Sequence, residues 1–273
     1  MRRCVLIASL AVVLVGFGPA VAVAASDMVW QVQVRDDLSH YFTDAGTDGA
    51  MVAYDPKTNA AVVVNPQRAG RGYLPASTFK IVNSLIGLET GAAKDVDAEV
   101  FVWDGSDFKV KDCNRDQTLT SAFRLSCVPV YQQLARRIGA ERFASWLAVL
   151  NYGNRDVGGA EVDQFWLQGK LRITAWEQVA FLARLAAGKL PFSARTIALV
   201  HAMMVSEQTP TMILRAKTGL ASAAAPPIGW WVGWIERDGQ IRIFALNLDV
   251  RNPEHLQARI EIGKAILREL GAL

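Results

Sequence analysis

The spacing of apolar residues changes along the chain, and each change marks a different kind of structure. In WQVQVRDDLSHYF, residues 30–42, Trp30, Val34, Leu38, Tyr41 and Phe42 fall on about one face of a helix, which predicts an amphipathic helix there. AMVAYDPKTNAAVVVN, residues 50–65, sets two β-rich runs around the turn formers Asp55-Pro56-Lys57-Thr58-Asn59 and predicts a hairpin. From about residue 77 the period becomes helical. Residues 128–150 read as a helix broken at Gly139, and residues 193–204 as another. Residues 171–188 open on Thr174 and Glu177 in capping-box spacing and close on Gly188 at a position suited to a left-handed turn.

Strand chemistry then returns. MILRAKTG (212–219) precedes GWWVGWIERDGQIRIFALNLD (229–249), whose two β-rich halves meet at Asp238-Gly239, a strong hairpin signal. Residues 255–270 close the chain as an amphipathic helix. Strands at both ends with helices between them predict an α+β fold. Its antiparallel sheet draws on the N- and C-terminal segments, about 25–76 and 190–273. A mostly helical insertion covers about 77–189. No repeat or long linker divides residues 25–273, so they form a single domain.

Composition adds a compartment. The first residues, MRRCVLIASLAVVLVGFGPAVAVAAS, give two arginines, an apolar run to about Val15 and then small residues. That order predicts a signal peptide, residues 1–24, cut after Ala24, and not a membrane anchor. Of 29 basic residues, its removal takes Arg2 and Arg3 and leaves 27 against 26 acidic ones. A charge so near balance gives no reason to expect nucleic acid or anionic membrane as a partner. Cys4 leaves with the signal. Cys113 and Cys127 remain, and an oxidising compartment permits either a disulfide between them or two separate thiols. Two cysteines without a nearby histidine pair do not make a metal site.

The candidate chemistry begins at PASTFK, residues 75–80. A serine hydroxyl needs a base within reach to act as a nucleophile at neutral pH. His40, His201 and His255 lie on or at the start of predicted helices, outside G-x-S-x-G or H-E-x-x-H settings, so neither a histidine triad nor a zinc peptidase fits. Lys80 fits better. One helical turn after Ser77 it shares a face with it, about 5–6 Å away between Cβ atoms, and apolar neighbours penalise its charged form. A helix N-terminus under Ser77 adds free N–H groups suited to an oxyanion.

Downstream follow Ser126-Cys127-Val128, Tyr152-Gly153-Asn154, Trp166-Leu167-Gln168-Gly169 and Lys217-Thr218-Gly219. In this order and spacing the chain resembles the class D, oxacillinase-type serine β-lactamases. The likeness runs through Gly229-Trp230-Trp231-Val232-Gly233-Trp234 and Ala245-Leu246-Asn247-Leu248-Asp249. It implies the fold shared by serine β-lactamases and penicillin-binding proteins, and a periplasmic enzyme that hydrolyses β-lactams and confers resistance to them.

The resemblance also implies roles. Ser77 is the acylated nucleophile. Lys80 is carbamylated by carbon dioxide to N6-carboxylysine and serves as general base. Ser126 relays a proton toward the leaving lactam nitrogen, Lys217 is a further catalytic residue, and the backbone N–H groups of Ser77 and Leu220 form the oxyanion hole. Thr218, Gly219, Arg259 and Trp103 bind substrate, with Lys217 and Thr218 facing its carboxylate beside Arg259. Val128, Trp166 and Leu167 surround the carbamate, the indole of Trp166 acting as donor. Tyr152-Gly153-Asn154 organises the site and does no chemistry.

Class A enzymes instead carry S-D-N and a glutamate that activates water. Cys127 stands here where that aspartate would be, and 150–170 lacks that family's pattern, which favours the lysine base. No cofactor or metal is implied beyond carbon dioxide or bicarbonate. The partner is a small-molecule β-lactam, and a homodimer is left open. The loop Ala221-Ser222-Ala223-Ala224-Ala225-Pro226-Pro227 is expected to border the pocket. The same motifs also occur in β-lactam sensor domains and in penicillin-binding proteins, which acylate without efficient turnover.

Overall fold

The computed structural model describes residues 30–273, so the expected signal peptide lies outside the described residues. The chain enters as β1 (Gln31–Val34), makes a 3-10 turn and the short helix α1 (His40–Asp44), and forms the hairpin β2 (Gly49–Asp55) and β3 (Ala60–Val64). Helices follow: α2 (Pro66–Ala69), α3 (Lys80–Glu89), α4 (Leu119–Leu125), α5 (Val128–Ile138), α6 (Ala140–Leu150), α7 (Ala175–Ala186) and α8 (Ala194–Met203). The strands β4 (Val205–Gln208), β5 (Met212–Ala221), β6 (Ile228–Arg237) and β7 (Gln240–Asp249) then lead to α9 (His255–Glu269).

Seven strands form one sheet in the order β1-β3-β2-β7-β6-β5-β4. The N-terminal hairpin joins the C-terminal strands through β2 and β7, which pair antiparallel from Gly49↔Leu248 to Tyr54↔Ile243. Both faces of the sheet are covered. On β6, Trp230, Val232 and Trp234 belong to the core under the helical layer, whereas Trp231 and Ile235 belong to the core under α9. On β2, Ala50, Val52 and Tyr54 face the helical layer and Met51 and Ala53 the other side. Period-two alternation with two buried faces is why these strands read as nearly unbroken apolar runs. The β6–β7 turn places Asp238 and Gly239 at φ 51° and 71°, the left-handed pair that a two-residue hairpin turn requires.

The expected helix over residues 30–42 is corrected. Residues 31–34 form a strand paired parallel with β3, from Gln31↔Ala60 to Val34↔Val63, so the sheet is mixed and not wholly antiparallel. Gln-Val-Gln-Val also alternates with period two, and the free edge of β3 supplies partners that the local pattern does not reveal. Helical structure begins only at Asp36, where Leu38 and Phe42, one turn apart, enter the core under α9. Trp30 packs on the rings of Tyr54 and Trp176 on the opposite face. The helix read over residues 193–204 is α8, which leads directly into β4.

Candidate active site

Ala76–Phe79 forms a 3-10 turn that runs directly into α3, a helix whose residues from Lys80 to Leu88 are all buried. Ala76 has φ 48°, a left-handed conformation that costs a non-glycine residue energy and has to be held by its surroundings. Its N–H donates to the Trp166 carbonyl at 3.0 Å. Thr78 Oγ1 donates to the Pro75 carbonyl at 2.7 Å and accepts from Gln178 Nε2 of α7 at 2.9 Å. The turn bearing Ser77 is thereby fixed from both sides.

Lys80 is wholly buried and its Nζ donates to Ser77 Oγ at 2.7 Å. The Tyr131 ring lies 5.2 Å from the same nitrogen. Burial, and then the charge of Lys217, hold this amine well below the usual lysine range. Trp166 stacks on Phe79, centroids 5.5 Å apart at 23°, and its buried indole Nε1 has no acceptor within the protein.

A second serine–lysine pair faces the first. Ser126 ends α4 at φ 60°, and Cys127 in extended conformation leads into α5 at Val128-Pro129. Lys217, nearly buried on β5, donates to Ser126 Oγ and to the Thr218 carbonyl, each at 3.0 Å. Burial, with the nearby Arg259 charge, brings its pKa down to about 7. Arg259 reaches from α9 to donate to the Gly219 carbonyl at 2.8 Å, and burial lowers it to about 10. Gly219 packs closely: a Cβ there would sit 3.1 Å from the Pro75 carbonyl oxygen and 3.3 Å from Thr78 N, so a larger residue would push the two backbones apart by a few tenths of an ångström. That close approach seats β5 against the Ser77 turn.

Between the pairs lies a cleft of about 600 Å³, lined by Ser77, Ser126, Val128, Leu167, Thr218, Gly219, Leu220 and Arg259. A nucleophile, an amine whose charged form burial disfavours and a cationic wall at one concave site suit attack on a carbonyl whose substrate carries a carboxylate.

The penicillin-binding protein transpeptidase domain matches residues 49–270. The chain is 41% identical to β-lactamase OXA-48 of Klebsiella pneumoniae, over 87% of this chain and 89% of that protein. It is 40% identical to β-lactamase OXA-5 of Pseudomonas aeruginosa, over 85% and 87%. The chain belongs to the class D β-lactamases. Among solved structures it superposes on the class D β-lactamase YbXI from Nostoc with a TM-score of 0.85 at 42% identity, over 88% of this chain and all of that one. It superposes equally well, at 39% identity, on the class D enzyme FUS-1 (OXA-85) from Fusobacterium nucleatum.

Of the residues singled out by the class D motifs, one lies apart. Trp103 is 39% exposed, donates its indole N–H to the Ser106 carbonyl, and does not line the cleft. Its neighbourhood contributes Val110 instead, which no sequence signal marked. Gln164 and Gln168 also line the cleft and were missed. Their four-residue spacing around Trp166 and Leu167 was the signal available. Ser222 and Ala223 border the cleft from the loop after β5. Tyr152-Gly153-Asn154 stands outside it, where Asn154 exchanges hydrogen bonds with the backbone of Lys170 and Arg172. Cys113 and Cys127 are joined in a disulfide.

The histidines are engaged elsewhere. His201 pairs with the Leu185 carbonyl, and His255 bridges the Arg251 N–H and the Ala45 carbonyl. Among the described residues no group of three or more His, Cys, Asp or Glu side chains is placed to hold a metal ion, and no helix is long and apolar enough to cross a membrane.

Proposed function

We propose that this class D enzyme opens β-lactam amides through an acyl-enzyme on Ser77, acts in the periplasm after loss of residues 1–24, and confers β-lactam resistance. The observation that carries the reading is the 2.7 Å contact between Ser77 Oγ and the buried amine of Lys80, in a family member whose cleft contains no histidine.

Ser77 Oγ attacks the lactam carbonyl as its proton passes toward Lys80, which burial keeps ready to accept it. The N–H groups of Ser77 and Leu220 stabilise the oxyanion, a contribution of roughly 2.7–4 kcal/mol per donor in other enzymes. When the C–N bond breaks, the leaving nitrogen takes a proton from Ser126, and Lys217, poised near neutrality, replaces it. Thr218, Gly219 and Arg259 orient the substrate carboxylate. Water then releases the acid from Ser77.

Lys80 fits carbamylation, because only a neutral amine attacks carbon dioxide and burial favours that form. Trp166 Nε1, buried without an acceptor, would hold the carbamate, with Val128 and Leu167 enclosing it. The modification would supply an anionic oxygen as base for acylation and deacylation.

Turnover of nitrocefin or oxacillin by the purified protein, with and without bicarbonate, tests the proposal. Repeated turnover that rises with bicarbonate supports it. A single stoichiometric burst would make the chain a sensor or a penicillin-binding protein.

A further inference from the structure

Gln178 is 1% exposed, on a helix whose Trp176, Val179, Phe181 and Leu182 are buried too. A buried amide costs free energy unless its hydrogen bonds are made, and an apolar residue of its length would avoid that cost. Its Nε2 donates to Thr78 Oγ1 at 2.9 Å, from a position 100 residues away in the sequence. Thr78, equally buried, donates in turn to the Pro75 carbonyl at 2.7 Å. Water has no access to this chain of bonds and cannot replace a lost member.

The chemistry of the groups fixes the direction of the chain. A hydroxyl has one proton, so with Thr78 Oγ1 accepting from Gln178 that proton goes to Pro75. The Pro75 carbonyl also accepts from the Thr78 N–H at 3.1 Å, and the N–H of the same peptide, on Ala76, donates to the Trp166 carbonyl. The Pro75–Ala76 peptide is therefore held at both ends. It leads into the left-handed Ala76, a conformation that persists only while its surroundings over-determine it. The next N–H along the backbone is that of Ser77. The platform is stiff as well: Thr174 and Glu177 cap the start of α7, and Ile173 just before it exchanges backbone hydrogen bonds with Tyr73 at 3.0 and 2.9 Å. Thr78 also meets β5, since a Cβ on Gly219 would lie 3.2 Å from its methyl group, beside Leu220.

We propose that Gln178 is a positioning residue for acylation: through the Thr78 hydroxyl it holds the Pro75–Ala76 peptide so that the Ser77 N–H is aimed at the oxyanion. The inference rests on the hydrolase reading above and adds a residue that lies outside the cleft and outside every motif. An oxyanion donor is effective only when it points where charge develops, and a misplacement of about 1 Å costs about a hundredfold. Releasing the peptide would misaim that donor while leaving Lys80, Ser126, Lys217 and Arg259 in place. The loss should therefore fall on the acylation rate and not on substrate binding.

Two near-isosteric variants test this. Thr78→Val keeps the methyl group against Gly219 and removes only the hydroxyl, and Gln178→Met keeps the length and removes the donor. Stopped-flow acylation by nitrocefin, with bicarbonate present, should be slowed about tenfold or more in each, with the dissociation constant of nitrocefin moving less than about twofold. The double variant should be no slower than Thr78→Val alone, because Gln178 acts through that hydroxyl. Thr78→Ser, which keeps a hydroxyl, should recover most of the rate. In the Lys80→Ala background, where the acyl group should persist on Ser77, the infrared band of the ester carbonyl should move to higher wavenumber with either variant. A weaker oxyanion contact polarises that carbonyl less, whereas a packing defect elsewhere leaves the band in place. If Gln178→Met does not fold, the rate and infrared band of Thr78→Val decide the case. Wild type that acylates, with both variants within about twofold of its rate or with losses that multiply in the double variant, overturns the inference and leaves the hydrolase reading intact. A wild-type protein that forms no acyl-enzyme overturns both.

Discussion

Lys217 Nζ donates to Ser126 Oγ at 3.0 Å, joining residues 91 positions apart at the point where a helix end meets a strand. Neither partner is placed by its own local structure alone. Ser126 takes a left-handed backbone at the end of α4, and Lys217 extends from β5 with the Phe123 ring 5.6 Å from its nitrogen. The contact thus ties the helical layer to the sheet and buries an amine that water would otherwise protonate.

A pH dependence of stability follows. Lys217 has a pKa of about 7 in the fold against roughly 10.4 in an unfolded chain. Between those values the native state binds fewer protons than the unfolded one, so stability rises as pH climbs from about 7 toward 10. Below 7 both states are protonated and the penalty is constant. Lys80 is shifted in the same direction and adds to the trend. Urea denaturation at pH 7 and pH 9.5 should show wild type gaining on the order of 2 kcal/mol more than Lys217→Met, which lacks this share. Equal gains would mean that Lys217 titrates normally.

Lys80→Ala addresses the base. The variant should fold, since the amine it removes is a desolvated group bonded only to Ser77 Oγ among the hydrogen bonds of the described residues. Turnover should fall about 10²- to 10⁴-fold, the usual worth of a positioned acid or base. Intact-mass measurement should find the acyl group persisting on Ser77, because release by water needs the base too. Normal turnover would refute the role.

How much of this was readable beforehand depended on where each cause lies. The Ser77, Ser126 and Lys217 motifs were readable because each chemistry demands a residue type at a set spacing. The β6–β7 hairpin was readable because Asp238-Gly239 and the flanking apolar runs point the same way. The strand at 31–34 was not, because its partner is the backbone of β3, and a four-residue edge strand leaves too little pattern of its own. Where Trp103 sits relative to the cleft lining was equally hidden. Its position follows from the long loop around it, where Asp116 accepts from its backbone N–H and Ser106 from its ring.

The disulfide offers a stability test. It ties Cys113, in the loop that contributes Val110 to the cleft, to Cys127 beside Ser126. Cys113→Ala leaves the Ser126-Cys127-Val128 triplet unaltered and frees only the loop. For a closed loop of this length the cross-link is worth about 3 kcal/mol, so the midpoint of denaturation should fall accordingly. In exported, non-reduced protein neither cysteine should react with an alkylating agent, and both should after reduction. Two reactive thiols before reduction would show that the bridge does not form.

Trp166→Phe separates packing from hydrogen bonding at the core of the site. Phenylalanine keeps an aromatic ring to stack on Phe79, and the bond from Ala76 N–H to residue 166 uses only the backbone carbonyl. What disappears is one donor, the buried indole N–H. If Trp166 were only core, the variant would lose some stability from the smaller ring, and its remaining activity would not respond to bicarbonate. If the indole steadies a modified Lys80, the modification becomes easier to lose. Turnover in carbon dioxide-depleted buffer should then drop at least tenfold below wild type and recover most of the way as bicarbonate is added. The recovery discriminates, because added bicarbonate drives the amine's reaction by mass action but does not refill a packing defect. A loss of activity in Trp166→Phe that bicarbonate leaves unchanged would assign this residue to packing alone.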